Sequence, residues 1–113
     1  YSLDRMPQVE REAAVARLRP ESATAIRETL NWWLDPFMTT SVGPGPIGAP
    51  ALVICGERDV VHSPATGRAT AQRIGASYQG MPGMSHWLVG EPGWDDVAER
   101  VITWLADEAR AAA

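Results

Sequence analysis

The chain has 113 residues, of which 45% are hydrophobic and 21% charged, and its formal net charge is −4. This composition is typical of one globular domain and excludes a disordered or low-complexity chain. A single cysteine cannot close an intramolecular disulfide, and no cluster of cysteines and histidines has the spacing of a zinc site. The sequence therefore predicts neither a disulfide scaffold nor a metal scaffold.

Charge and hydropathy also limit the partners. All ten basic residues are arginines spread among fourteen acidic residues, whereas nucleic-acid binding depends on a concentrated positive surface. The longest apolar run covers residues 51–55, far short of the ~20 residues that cross a bilayer. We therefore expect no nucleic-acid partner, no membrane span and a cytoplasmic location, although a targeting segment upstream of Tyr1 would not be visible in this sequence.

The first part of the chain is predicted to be helical. Helix-forming residues dominate residues 7–19, and Pro20 breaks this helix. Pro20 also suits the first position of a second helix, with Glu21 favourable to its dipole, and Pro36 ends that helix. Steps of three and four residues give the second helix one apolar stripe, formed by Ala23, Ile26, Leu30, Trp33 and Leu34.

A loop and a change of hydrophobic period follow. Six of the eight residues in 43–50 are Gly or Pro, a density that neither a helix nor a central strand tolerates. Residues 51–55 form an uninterrupted apolar run with β-branched members. Such a run is typical of a strand that is covered on both faces in a parallel sheet.

A helix, a second strand and a last helix are predicted after this strand. Ser63 as N-cap, Pro64 in the first turn and Gly75 as C-cap frame a helix of about ten residues. Residues Ser77–Met81 form a weaker strand, and the last helix opens near Pro92. The buried stripe of that helix is expected to contain Val97, Val101, Trp104 and Leu105.

This order of strands and helices predicts an α/β fold with parallel strands and a crossover helix. Two parallel strands alone lack the neighbours that a strand covered on both faces needs. We therefore expect the chain to be the C-terminal part of a larger α/β domain, or its sheet to be completed by another chain. A small, self-sufficient α+β domain is the alternative.

Candidate catalytic residues follow both strands. Asp59 comes shortly after the first strand, and His86 lies in the loop after the second. Because the carboxyl ends of parallel strands meet at one edge of a sheet, the two side chains are expected to be within hydrogen-bond reach. A carboxylate that accepts from one ring nitrogen orients the imidazole and stabilises the imidazolium formed when the other nitrogen takes a proton. The pair would supply two-thirds of a hydrolytic triad.

Three neighbouring polar residues are less favoured for catalysis. Glu57 is the rival carboxylate, but it is closer to the strand and is expected to be a solvated or structural charge. His62 is expected on the surface because it follows Asp59 by only three residues. Ser85 is expected to be a turn residue.

The two segments resemble the C-terminal region of the α/β-hydrolase family. The resemblance is carried by residues 50–59 (PALVICGERD) and 83–87 (GMSHW), in the order acid before histidine that the family shows. It implies that Asp59 is the triad acid and His86 the general base of a cofactor-free serine hydrolase that cleaves small carboxylic esters. It also implies that residues 1–42 are the end of a cap, 43–50 a linker loop, and 51–113 the C-terminal part of the hydrolase core.

The same resemblance suggests a substrate pocket near the end of the second predicted helix and beside the histidine. Packing in the core is the alternative role for these aromatic and thioether side chains. The candidate substrate-binding residues are Trp32, Trp33, Phe37, Met38 and Trp87.

The nucleophile of the family has no counterpart in this sequence. In the family it lies on a Gly-x-Ser-x-Gly turn, and no serine here has that context, while Cys55 falls within a strand. The oxyanion-hole donors of the family also come from the N-terminal half. We therefore expect the chain alone to be inactive and to need that half. Two alternatives are an enzyme of the same fold that cleaves C–C or C–halogen bonds or transfers acyl groups, and a non-catalytic interaction module.

Overall fold

The computed structural model describes residues 3, 5–31, 34 and 43–112. These residues form a mixed α/β structure with four α-helices and two strands. In chain order they are α1 (Gln8–Arg17), α2 (Ala23–Leu30), β1 (Leu52–Gly56), α3 (Pro64–Ile74), β2 (Ser77–Met81) and α4 (Trp94–Ala111). Residues 43–50 contain neither helix nor strand, as their Gly and Pro content predicts.

β1 and β2 pair in parallel, which confirms the predicted arrangement. The register places Leu52 opposite Ser77 and Gly56 opposite Met81. α3 connects the two strands and packs against both. Both strands therefore end side by side, and the loops that carry the candidate catalytic residues leave the sheet at the same edge.

The boundaries of α3 follow from its capping residues, as predicted. The Ser63 hydroxyl accepts a hydrogen bond from the backbone N–H of Thr66 at 3.2 Å, and Pro64 occupies the first helical position. Gly75 ends the helix in the left-handed conformation with φ of 69°, which costs glycine little because it has no Cβ. These local signals define the crossover between the strands.

The predicted start of the second helix at Pro20 is wrong. α2 begins at Ala23, and Ser22 is its N-cap, with the Ser22 hydroxyl accepting from the N–H of Ala25 at 3.3 Å. A serine oxygen satisfies one of the free N–H groups at a helix start, whereas proline at that place supplies no such acceptor. The helix ends at Leu30, and the predicted breaker Pro36 lies outside the described residues.

A small hydrophobic core lies between the sheet edge and the last helix. Met81, Met84 and Val97 are buried together, with Ile54 and Leu88 packed against them. Met84 and Leu88 belong to the loop that carries the candidate histidine, and Val97 lies in the first turn of α4. The loop that carries the candidate histidine is therefore anchored in this core by its own side chains.

The predicted apolar stripe of α2 is exposed where the structure describes it, and that of α4 is covered only in part, with Val101 and Trp104 half-buried. Val97 of α4 is buried, but Leu105 is 54% exposed, and Ile26 and Leu30 of α2 are 48% and 64% exposed. Neither edge of the two-stranded sheet has a further strand beside it in the described ranges. Exposure of this kind is typical of surfaces that other segments cover. None of the described helices is both long enough and apolar enough to cross a membrane.

Candidate active site

The turn after β1 is held against the end of β2 and the loop beyond it. The N–H of Glu57 donates to the carbonyl of Met81 at 3.0 Å, and the N–H of Arg58 donates to the carbonyl of Met84 at 2.9 Å. The N–H of Asp59 closes the turn onto the carbonyl of Gly56 at 3.1 Å. Two backbone hydrogen bonds therefore connect the segment that carries the acid to the segment that precedes the histidine.

Gly56 lets these two segments approach. A Cβ at this position would overlap the carbonyl oxygen of Ser85 and lie 2.6 Å from that of Met84. The Gly in the motif is therefore required by close backbone contact across the site, since no larger residue fits there.

Asp59 and His86 are in hydrogen-bond contact, as predicted. Asp59 is 8% exposed, and its Oδ2 lies 3.0 Å from Nδ1 of His86. The other carboxylate oxygen, Oδ1, accepts from the backbone N–H groups of Val61 and His62 at 2.7 and 2.8 Å. The carboxylate is thus fixed at both oxygens, while the catalytic roles of the two residues remain a prediction.

The hydrogen bonds to Asp59 determine its charge. Burial by itself raises the pKa of Asp59, but the hydrogen bond from His86 and those from the N–H groups of His62 and Val61 outweigh burial and hold this pKa below its usual value. Asp59 is therefore ionised at neutral pH and can only accept hydrogen bonds. Nδ1 of His86 is consequently the donor in this hydrogen bond, and in the neutral form of the ring Nε2 is the acceptor.

A buried glutamate anchors the residue before the histidine. Ser85 and Glu91 are each 1% exposed. Oε1 of Glu91 accepts from the N–H of Ser85 at 2.7 Å, and Oε2 accepts from its hydroxyl at 2.9 Å. The expectation of a simple turn residue at Ser85 therefore missed its main contact. Glu91 gave no signal of burial in the sequence, because loop residues follow no hydrophobic period.

We expect Glu91→Ala to destabilise the chain by about 3 kcal/mol, because the substitution leaves the buried N–H of Ser85 without an acceptor and opens a cavity. Glu91→Gln should recover most of this loss. Its amide oxygen can accept from the Ser85 N–H while its NH2 group donates to the Ser85 hydroxyl. Urea unfolding monitored by circular dichroism measures both variants.

The exposed glutamate Glu57 provides the matched control for that experiment. Glu57→Ala should change the free energy of unfolding by less than about 0.5 kcal/mol. An equally small effect of Glu91→Ala would show that the Ser85–Glu91 contact does not hold the loop.

His62 lies closer to the candidate pair than its expected surface role implied. Its ring is exposed, but it stacks on the ring of His86, with ring centroids 5.2 Å apart and an angle of 26° between the planes. The hydrogen bond from the His62 N–H to Asp59 brings the backbone of His62 into the site. The spacing of His62 and Asp59 along the sequence did not reveal this contact, because it depends on the conformation of the turn after β1.

A cavity of about 280 Å³ opens beside the pair. Asp59, His62 and His86 line it together with residues of β1, α3 and the histidine loop. The apolar lining includes Val53, Ile54 and Leu88. The space is suited to an apolar group next to the imidazole.

The predicted pocket residues Trp32, Trp33, Phe37 and Met38 lie outside the described residues. Trp87 is half-buried, and its ring lies against Gly90, where a Cβ would be 3.2 Å from the ring. Leu88, not Trp87, contributes to the cavity beside the pair, and substrate contact by Trp87 stays a prediction.

Neither Cys55 nor Ser85 is suited to act as the nucleophile. Burial, and to a smaller extent the negative charge of Asp59, raises the pKa of the Cys55 thiol, so the thiol stays protonated at neutral pH. Its sulfur lies 3.4 Å from the carbonyl of His62, to which it donates. The Ser85 hydroxyl is buried and donates to Glu91. Ser22 and Ser63 are occupied as helix N-caps.

The rival acid Glu57 is exposed and lies beside Gly80 of β2. This position agrees with the expectation of a solvated charge.

No protein-family model matches this chain, and neither a curated protein nor a solved structure gives a significant match. The function is therefore inferred from the geometry of the site.

Proposed function

We propose that this chain is the C-terminal part of a serine hydrolase of the α/β-hydrolase fold that cleaves carboxylic esters. In this proposal Asp59 is the triad acid and His86 the general base. The observation that carries the proposal is the 3.0 Å contact between Asp59 Oδ2 and His86 Nδ1, formed where two parallel strands end. Catalytic groups in parallel α/β sheets gather at this edge.

The hydrogen bond between Asp59 and His86 suits the pair to proton transfer. His86 Nε2 takes the proton of an upstream serine hydroxyl while the serine oxygen attacks the ester carbonyl. The resulting imidazolium is stabilised by the ionised Asp59 and then donates its proton to the leaving alkoxide. In the second half of the reaction, the same nitrogen activates the water that hydrolyses the acyl-enzyme. The side chain of His86 is 31% exposed, so a serine and a substrate can reach it.

The uncovered surfaces support the proposal that a further segment supplies the nucleophile. β1 has no strand on the edge away from β2 in the part of the chain that the structure describes. In the α/β-hydrolase arrangement proposed here, the missing strands pair at that edge. They bring the Gly-x-Ser-x-Gly turn and the oxyanion-hole donors to the carboxyl edge of the sheet.

The test compares the chain alone with the chain joined to the segment encoded upstream of it. The isolated chain should hydrolyse p-nitrophenyl acetate no faster than free histidine at the same concentration, because it lacks the serine and the oxyanion hole. The joined protein should hydrolyse this ester, and a fluorophosphonate probe should label one serine in the upstream segment.

Several results would contradict the proposal. Hydrolysis by the isolated chain above the histidine background would overturn the assignment of the nucleophile to another segment. If the joined protein is folded but neither hydrolyses esters nor reacts with the probe, the proposed serine hydrolase activity is refuted. Activity of that protein on haloalkanes instead would identify the alternative chemistry of the same fold.

A further inference from the structure

Three metal-binding side chains converge at the candidate site. Asp59, His62 and His86 each offer one ligand atom, and these atoms lie within 4.8 Å of one another. We propose that they form a binding site for a divalent transition-metal ion of the Zn²⁺ type, which competes with the hydrogen bond between Asp59 and His86. This inference goes beyond the proposed hydrolase, because it predicts a ligand that turns the catalytic pair off.

The donor set selects the class of metal. Two imidazole nitrogens and one carboxylate oxygen are preferred by Zn²⁺, Co²⁺ and Ni²⁺, whereas Mg²⁺ and Ca²⁺ prefer oxygen ligands alone. The exposed ring of His62 leaves one side of the cluster open to solvent. Water can therefore complete a tetrahedral coordination shell there.

The distances suit chelation after movement of one side chain. Metal bonds of about 2.0–2.2 Å place neighbouring ligands of a tetrahedral ion about 3.3 Å apart. Asp59 Oδ2 and His86 Nδ1 already lie 3.0 Å apart. The ligand atoms of the three residues lie up to 4.8 Å apart. These distances shorten when the exposed His62 ring rotates out of its stack on His86. The hydrogen bond from the His62 N–H to Asp59 Oδ1 keeps its backbone in place during this rotation.

Metal binding changes the proton positions on His86. In the free site Nδ1 of His86 carries the proton that Asp59 accepts. Coordination through Nδ1 needs a lone pair there, so the proton leaves Nδ1 and Nε2 takes one from solvent, with no net change in the charge of the ring. Asp59 Oδ2 then binds the ion instead of the proton. Nε2 becomes a donor in this state and cannot act as the base.

Zinc titration of the chain tests the site without any assay of activity. Isothermal titration calorimetry with Zn²⁺ should show one ion bound per chain. His62→Gln should weaken binding at least tenfold, because it removes an exposed ligand while retaining a similar size. Glu57→Gln removes a nearby exposed carboxylate that is outside the cluster, and it should bind Zn²⁺ as the unchanged chain does. Equal affinity of the chain and His62→Gln would overturn the proposal.

Nitrogen NMR of the imidazoles locates the bound ion and separates the two proposals. Zn²⁺ should shift the His86 Nδ1 resonance and move its proton to Nε2. An Nδ1–H signal of His86 that is unchanged at saturating Zn²⁺ would refute the metal site and leave the hydrolase proposal standing. Zinc binding at this site together with an inactive joined protein would retain the metal site and refute the hydrolase.

Discussion

In the protein joined to its upstream segment, Asp59→Asn should lower kcat for ester hydrolysis on the scale of ~10⁴-fold, the loss known for the equivalent change in a serine protease. The reason lies in the contacts of Asp59. Its Oδ1 accepts from two backbone N–H groups, so the asparagine oxygen remains there and the NH2 group faces His86. Nδ1 must then accept, and the proton moves to Nε2, the atom that acts as the base in the proposed mechanism.

His86→Ala should lower kcat by at least as much, because it removes the proposed base itself. KM should change little for either substitution if the pair acts in the chemical step. Steady-state kinetics with p-nitrophenyl acetate separates the two constants. The His86 Nδ1–H resonance of the isolated chain provides a readout of the tautomer that does not depend on turnover.

Glu57→Gln is the matched control for the choice of acid. Glu57 is exposed, and its substitution should change kcat less than about twofold, since a solvated surface charge contributes little. The assignment of Asp59 as the acid would be wrong if Glu57→Gln proved more damaging than Asp59→Asn in an active joined protein.

Gly56→Ala should destabilise the chain by about 4 kcal/mol, the upper end for a single substitution. The added methyl group would overlap the carbonyl oxygen of Ser85 and press on that of Met84. These are backbone atoms, which cannot rotate away as a side chain can. The strand end must therefore separate from the histidine loop, and the contact between Asp59 and His86 must lengthen.

Urea unfolding measures the stability change, and the His86 Nδ1–H resonance reports the separation of the pair. Gly43→Ala is the control, because no atom of the described residues lies within 4 Å of a Cβ at that position and Gly43 is not among the glycines in the left-handed conformation. Its free energy of unfolding should change by less than about 0.5 kcal/mol. Unaltered stability of Gly56→Ala would refute the close approach of the two segments.

Features that depend on short stretches of sequence were predicted well. The caps Ser63 and Gly75 determine the limits of α3, because a hydroxyl acceptor and a residue without Cβ act within one turn of the helix. β1 followed from its apolar run, and the weaker prediction of β2 followed from the loops around it. Parallel pairing then placed Asp59 and His86 at one edge, a consequence of topology that the order of elements already implied.

Where a local signal had a close competitor, the prediction failed. Pro20 and Ser22 both suit a helix start, and the serine prevailed because its oxygen satisfies a free N–H group. The periodic spacing of apolar residues on α4 identified Val97 correctly but placed Leu105 in a buried stripe. Periodicity identifies a face of a helix, and only the other elements decide how much of that face is covered.

Contacts between loops were decided by the tertiary structure alone. The stacking of His62 on His86 and the contact of Gly56 with Ser85 join the loop after β2 to the end of β1 and the turn that follows it, and Glu91 is buried against Ser85 within that loop. Turns have no period from which burial or direction can be deduced. The local sequence therefore determined the strands, the crossover helix and the edge at which the acid and histidine meet. The packing of the loops determined what surrounds the pair, because the contacts of His62 and Gly56 exist only after the two strand ends are brought together and the Ser85–Glu91 contact depends on how the loop itself folds.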